Sequence, residues 1–309
     1  MLHKIKKAVG ALKKINSLEK KLNLINNELR LLLPEIIPLN EEMQNEIKRF
    51  EQSQNISGKL NYAISKNDLM FRYSCYHHNT ISEGFYGYLL TGLNGKNIVQ
   101  KVIDAHFENS QKVNKILDFA SGYGRVTRFL CAEYSAEKIW ASEIKPKALD
   151  FIHRQFLCST IQSGFVPEDF NAGHQFEVIY VGSLFSHLPE DLFKRWLKTL
   201  YSLLSETGIL ILSTHDISLI NKNDKNAFVF IEDSEDQMFK EVDDHIKDAA
   251  KYGAAYLGKN RMNKILEQVG VKKEQYVRFK RVLSNVQDVY VIGKNKIKLA
   301  YKPDLTSFP

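Results

Sequence analysis

Residues 116–125 read Ile116-Leu117-Asp118-Phe119-Ala120-Ser121-Gly122-Tyr123-Gly124-Arg125. An apolar run ends in an acid, small residues follow, and an amphipathic stretch begins at Arg125. Gly122 and Gly124 permit a tight turn and the close approach of a ligand to the backbone. The first turn of a following helix offers unpaired N–H groups and the positive end of its dipole to an anion. Such strand–bend–helix units place ligands beyond the carboxyl ends of the strands of a doubly wound sheet.

Working downstream from this bend, strands and helices alternate. The strands are expected at Lys115–Phe119, Lys138–Ser142, Leu157–Gln162, Glu177–Val181 and Gly208–Ser213. The helices between and after them are expected at about 125–134, at Pro146–Phe156, at Pro189–Leu204 and at about 260–269, the last closed by Gly270. A final pair of strands, Gln275–Leu283 and Val286–Ile292, is separated by a short turn. Apolar strands alternating with amphipathic helices predict an α/β, Rossmann-like fold. It has a seven-stranded, mostly parallel sheet with a C-terminal antiparallel hairpin. Glu143 closes the second strand 25 residues after Asp118, where a carboxylate is placed to bind ribose hydroxyls.

Taken together, four stretches in this order resemble the class I S-adenosyl-L-methionine (SAM)-dependent methyltransferases. They are the bend itself, Trp140-Ala141-Ser142-Glu143-Ile144, the run from Phe176 to Leu188, and the run from Leu203 to Ser213. The resemblance spans about residues 95–293. It implies that Asp118 and the loop Ala120, Ser121, Gly122, Tyr123 and Gly124 hold the methionine moiety. It further implies that Glu143 binds the ribose, that Ile144 packs on the adenine, and that Ser183 and Leu184 flank the methionine end. After the third strand, Ser163 and Glu168 are the candidates for the adenine amine. Ala120 departs from the glycine usual in the family, and an alanine there argues against a strained backbone. For Ile144 and Leu184, plain core packing is the alternative.

Methyl transfer to an oxygen nucleophile needs a general base. The candidates near strand ends are His187, His215 and Asp216; histidine titrates in the suitable range. For His187 the alternative is a capping or packing role at the start of a helix. The segment 216–258 lies where these enzymes insert a substrate lid, and it contains Tyr252 and Tyr256, either of which would stack on a sugar ring or pack in the core. Upstream, Phe85-Tyr86-Gly87-Tyr88 reads as a cover for the cofactor or as a turn. Strand four ends in Val181-Gly182-Ser183-Leu184, which differs from the Asn-Pro-Pro-Tyr type used for base amines. Gly182 to Leu188, Ser213 to Asp216 and Gln287 to Val291 resemble a subgroup found beside bacterial glycosyltransferases, implying O-methylation of a sugar or other small acceptor, in a surface glycan. The competing readings are a non-catalytic scaffold, a nucleotide-dependent oxidoreductase and an RNA methyltransferase.

The ends of the chain differ in character from its middle. Apolar residues recur at Leu18, Leu22, Ile25, Leu29, Leu32, Ile36, Leu39 and Met43, the four–three spacing of a coiled-coil seam. Pro34 and Pro38 break it, so the pattern predicts one helix over about 2–32 and another over about 40–52 capped by Asn40. The expected organisation is a helical, coiled-coil-like extension over 1–58, a methyltransferase domain over 59–295 and a tail over 296–309. The extension is read as packing on its own domain, or as a handle for a homo-oligomer or another partner. Its Lys-rich first fifteen residues would also suit peripheral contact with an anionic membrane.

The net charge of +7 comes from the termini, leaving residues 51–270 slightly acidic. That weakens a nucleic-acid reading, which needs a basic face around the cleft. The three cysteines (Cys75, Cys131, Cys158) are too scattered for a metal or disulfide framework. Without a signal-like apolar run or a membrane-length one, the expected location is cytoplasmic.

Overall fold

The computed structural model describes residues 35–54, 56, 60–109, 113–232 and 253–305. The chain divides into two compact units, Met1–Pro38 with Ala63–Asn67, and Leu39–Tyr62 with Asp68–Pro309. In the smaller unit an antiparallel bridge joins Ile36 to Ser65, and the Ile37 N–H donates to the Ile64 carbonyl at 2.8 Å. The expected helix over 2–32, with its coiled-coil and membrane readings, lies outside the described residues.

The larger unit opens with three helices: α1 (Glu41–Gln54), α2 (Leu69–Tyr76) and α3 (Ile81–His106). Asn40 caps the first as expected, its side chain accepting from Met43 N–H at 2.8 Å. The third takes in Phe85-Tyr86-Gly87-Tyr88, read from sequence as a cover or a turn. Thr80 supplies the cap, accepting from Glu83 N–H, and Phe85 and Tyr88 are fully buried within the helix. Gly87, which suggested a turn, serves close packing within the helix instead: a methyl group there would collide with the His78 ring.

The alternation then follows as β1 (Ile116–Phe119), α4 (Thr127–Tyr134), β2 (Ile139–Glu143), α5 (Pro146–Phe156), β3 (Ser159–Gln162), β4 (Phe176–Val181), α6 (Glu190–Ser202) and β5 (Leu204–Asp216). Next come β6 (Phe228–Glu232), β7 (Gly253–Leu257), α7 (Lys259–Gln268), β8 (Tyr276–Leu283) and β9 (Gln287–Gly293). Among the described residues the sheet has nine strands in the order β3-β2-β1-β4-β5-β7-β6, with β9 on β5 and β8 on β9. The first five strands are parallel, and β9 runs antiparallel to β5. This is the expected Rossmann-like sheet, enlarged by two strands from the variable segment.

The added strands fit because β5 is long. Its pairing with β4 ends at Leu212, yet it continues to Asp216. β9 occupies one edge as far as His215, so β7 takes the edge β4 has vacated, pairing His215 with Tyr256 and Asp216 with Leu257. Strand alternation fixes the two faces. Leu117 and Phe119 join Trp196, Leu197, Ile265 and Leu266 in a core beneath α6 and α7, while Asp118 points the other way, to Thr127 of α4. Part of the expected tail is docked: Ala300 N–H donates to the Ala105 carbonyl of α3 at 2.8 Å, and Leu305 is buried. No helix among the described residues is long and apolar enough to cross a membrane.

Candidate functional site

The bend after β1 is built by three residues in the left-handed region: Ala120 (φ 58°), Gly122 (φ 57°) and Gly124 (φ 79°). Ala120 therefore does adopt the strained conformation its identity argued against, at a cost of about 1 kcal/mol. The bend requires it, because Ser121 must turn back so that its N–H donates to the Ser142 carbonyl at 3.0 Å. The two glycines have different duties. A methyl on Gly124 would sit 2.5 Å from Phe156 Cε2, whereas one on Gly122 would meet nothing within 4 Å. Gly124 is needed for packing as well as for φ, and Gly122 presents bare backbone to open space.

Two acids frame this opening. Asp118 is 2% exposed and accepts from the Thr127 hydroxyl at 2.6 Å. Burial lifts its carboxyl to about 7, against the pull of Thr127 and the Arg125 charge. Glu143 is also buried. Its Oε2 accepts from Gly122 N–H at 2.9 Å and its Oε1 from Ile144 N–H at 2.9 Å. Burial raises this carboxyl too, and the backbone donors oppose the shift. Ile144 lies beside it, half-buried, and Tyr123 packs edge-on to Phe151 at 5.7 Å. Ser163 N–H donates to the Glu143 carbonyl at 3.1 Å. Glu168, by contrast, is exposed and ion-paired with Arg195 of α6, so of the two candidates after β3 only Ser163 adjoins Glu143.

Behind the bend lies a network with no signal in the local sequence pattern. Arg128 is 2% exposed, and its guanidinium donates to the carbonyls of Gly124 (3.3 Å) and Asn61 (3.2 Å) and to the Tyr88 hydroxyl (3.4 Å). Tyr88 in turn donates to Asp68 at 2.5 Å. The segment before the sheet is thus bonded to the glycine loop, and Tyr88 belongs to the core.

The ends of β4, β5 and β9 form a second cluster. Ser183 is left-handed (φ 66°), and its N–H donates to Ser213 Oγ at 2.7 Å. Ser213 donates to Gln287 Oε1 at 2.6 Å, and Gln287 Nε2 donates to Ser183 Oγ at 3.1 Å and lies 3.4 Å from His215 Nε2. Gln287, a residue given no role from sequence, thus ties three strand ends together. Leu184 opens the short helical turn Leu184–Ser186, half-buried against the core. His187 closes that turn and lies before α6. Its Nδ1 is 2.9 Å from the Gly253 carbonyl, and the Gly253 N–H returns a bond to the His187 carbonyl at 3.3 Å.

His215 stacks on Tyr256 at 5.3 Å and meets the His187 ring edge-on at 6.3 Å. Burial and the neighbouring histidine push His215 down to about 4, and burial lowers His187. Both are therefore neutral at pH 7. Asp216 is turned away from this cluster. It caps the next turn through Ser218 N–H (3.0 Å) and pairs with Arg278 at 2.5 Å, while Arg278 also holds Asp288. An aspartate so engaged is held below its ordinary value and is a poor proton acceptor, a correction to its place among the base candidates. Tyr252 lies outside the described residues.

Residues 116–208 match the family model described as a methyltransferase domain. No curated protein matches the chain. Among solved structures, an S-adenosylmethionine-dependent methyltransferase from Clostridium acetobutylicum is 15% identical, covering 65% of this chain and 91% of that one, with a TM-score of 0.44. CalS10 from Micromonospora echinaspora, an amino pentose methyltransferase, is 9% identical over 66% and 92%, with a TM-score of 0.47. The glycopeptide N-methyltransferase MtfA, complexed with SAM, is 14% identical over 64% and 92%, with a TM-score of 0.46. The matched domain starts at β1, runs through the bend and both acids, and ends within β5. In that stretch the chain is similar to the methyltransferase domain family.

Proposed function

We propose that this enzyme methylates an oxygen of a sugar or another small, uncharged acceptor, and that His187 is the proton acceptor. The observation that carries the reading is the neutral, aromatic lining at the ends of β4, β5 and β7. Two uncharged imidazoles and Tyr256 gather there, while the charges of Asp216 and Asp288 are spent on Arg278. A sugar ring offers hydroxyls for such groups to hydrogen-bond and an apolar face for a ring to cover.

When bound, SAM supplies an activated methyl group on a sulfonium. The chain's part is to orient the nucleophile and take its proton. A carbonyl only accepts, so the bond to Gly253 requires the proton of neutral His187 on Nδ1 and the lone pair on Nε2. His215 is less suited, since its Nε2 faces the Gln287 amide and burial with the neighbouring histidine pushes it down to about 4. On the cofactor side, Asp118 and the 120–124 loop hold the methionyl group, Glu143 takes the ribose hydroxyls and Ile144 packs on the adenine. Ser183 and Leu184 border the reacting end.

The test is transfer from methyl-labelled SAM to a panel of free and nucleotide-linked sugars, with calorimetry of SAM binding alongside. His187→Gln is expected to bind SAM like the wild type and to lose about a hundredfold or more in transfer. Methylation of nitrogen only, or unchanged transfer by His187→Gln, would overturn the proposal.

A further inference from the structure

Gln287 opens β9 and stands directly across from His215 of β5. Cross-strand partners present their side chains to one face, and residues two apart on a strand share a face. Ser213, His215 and Gln287 therefore lie on one side of the sheet. Asp216 and Asp288 lie on the other, where Arg278 holds both carboxylates. Among the described residues, the titratable groups that face His215 on its own side are His187 and Tyr256.

The hydrogen bonds settle which way the Gln287 carboxamide points. The Ser183 N–H can only donate, and it donates to Ser213 Oγ at 2.7 Å. Ser213 is buried, and its own proton goes to Gln287 Oε1 at 2.6 Å. The amide nitrogen is thereby turned towards Ser183 Oγ at 3.1 Å and His215 Nε2 at 3.4 Å. An amide nitrogen donates only, so the ring nitrogen it faces must offer a lone pair, and the proton of neutral His215 sits on Nδ1. A second proton, on Nε2, would set N–H against N–H. A glutamate of the same shape would do the reverse, accepting from Nε2 and stabilising the imidazolium.

We propose that Gln287 is a positioning residue: it holds His215 neutral, with the lone pair on Nε2, and so directs the acceptor's proton to His187. The two rings lie 6.3 Å apart, close enough that a charge on one disfavours a charge on the other. With His215 kept neutral, His187 takes the proton of the acceptor hydroxyl with no cation beside it. This role deepens the methyltransferase reading, with His187 as proton acceptor, and rests on it.

Nitrogen-15 NMR of the histidine-labelled full chain reads the protonation of each ring, with His215 assigned by the loss of its signals in His215→Gln. At pH 7 wild-type His215 is expected to carry its one proton on Nδ1. Gln287→Glu keeps the shape, and both serine hydroxyls can still donate to it, but the donor facing His215 becomes an acceptor. In that variant Nε2 of His215 should be protonated. The kcat for transfer from methyl-labelled SAM to the sugar panel should fall at least about tenfold, with SAM affinity by calorimetry unchanged and with circular dichroism verifying the fold. A wild-type His215 protonated on Nε2 overturns the inference by itself, whether or not the variant folds. So does a folded Gln287→Glu with wild-type kcat, or with SAM affinity reduced as much as transfer. Each of these leaves the methyltransferase reading standing. A wild type that binds SAM and methylates no oxygen acceptor overturns that reading, and the proton-directing role with it.

Discussion

The backbone N–H of Gly122 donates to Glu143 Oε2 at 2.9 Å, so the bend that follows β1 is bonded to the carboxylate that ends β2. The contact joins the two elements that resemblance assigns to adjoining parts of the cofactor, methionine and ribose. A carboxylate has about four acceptor sites. Glu143 uses three on the N–H groups of Gly122, Ile144 and Lys145, which fixes its orientation and leaves capacity for a hydroxyl.

Glu143→Gln keeps the shape of the side chain but loses the charge and half of the acceptor capacity. SAM affinity is expected to fall about ten- to a hundredfold, as for loss of a hydrogen bond to a charged group. Tm should also drop, because one backbone donor is left unsatisfied. Calorimetry and thermal melts report the two effects separately; unchanged SAM affinity would sink the ribose assignment.

The two glycines of the bend should respond differently to alanine. Gly122→Ala faces no clash and costs about 1 kcal/mol of stability through its φ, but its methyl enters the opening and should abolish measurable SAM binding. Gly124→Ala must also displace Phe156 and Ile152, so it should cost about 2–4 kcal/mol. Denaturant unfolding of both variants checks this, and equal losses of stability would contradict it.

Asp118 makes stability depend on pH in a direction opposite to that of an ordinary ion-paired carboxylate. Its folded value, about 7, lies above the unfolded one. Its contribution is therefore complete below about pH 4 and lost as pH rises through about 7. Asp118→Asn removes this burden, so the variant should gain on the wild type between pH 5 and pH 8 by about 2 kcal/mol. Unfolding curves at several pH values measure the gap, and parallel pH profiles for the two proteins would refute the assignment.

Sequence periodicity revealed those elements whose own residues carry the signal. The helix Pro146–Phe156 has the predicted ends, because proline starts it and a left-handed residue stops it. The strands β1, β2 and β4 lie within a residue or two of expectation, since each is a nearly unbroken apolar run. β6 and β7 were not anticipated: Phe228–Glu232 and Gly253–Leu257 become strands only by pairing with each other and with the overhang of β5. The site divides the same way. Asp118, Gly122, Gly124 and Glu143 are legible because bends and strand ends are local. The links Asp68–Tyr88–Arg128 and Ser183–Gln287–Ser213 join residues far apart in the chain, and no short window contains them.

The overhang of β5 past Leu212 divides one sheet into two separately paired parts. The residues we propose for the ribose and adenine follow β2 and those for the methionyl group follow β1, while β7 and β6 pair with a length of β5 that β4 does not use. The proposed acceptor side, which includes Tyr256 of β7, can therefore change in length or sequence without disturbing the register of β1 with β2.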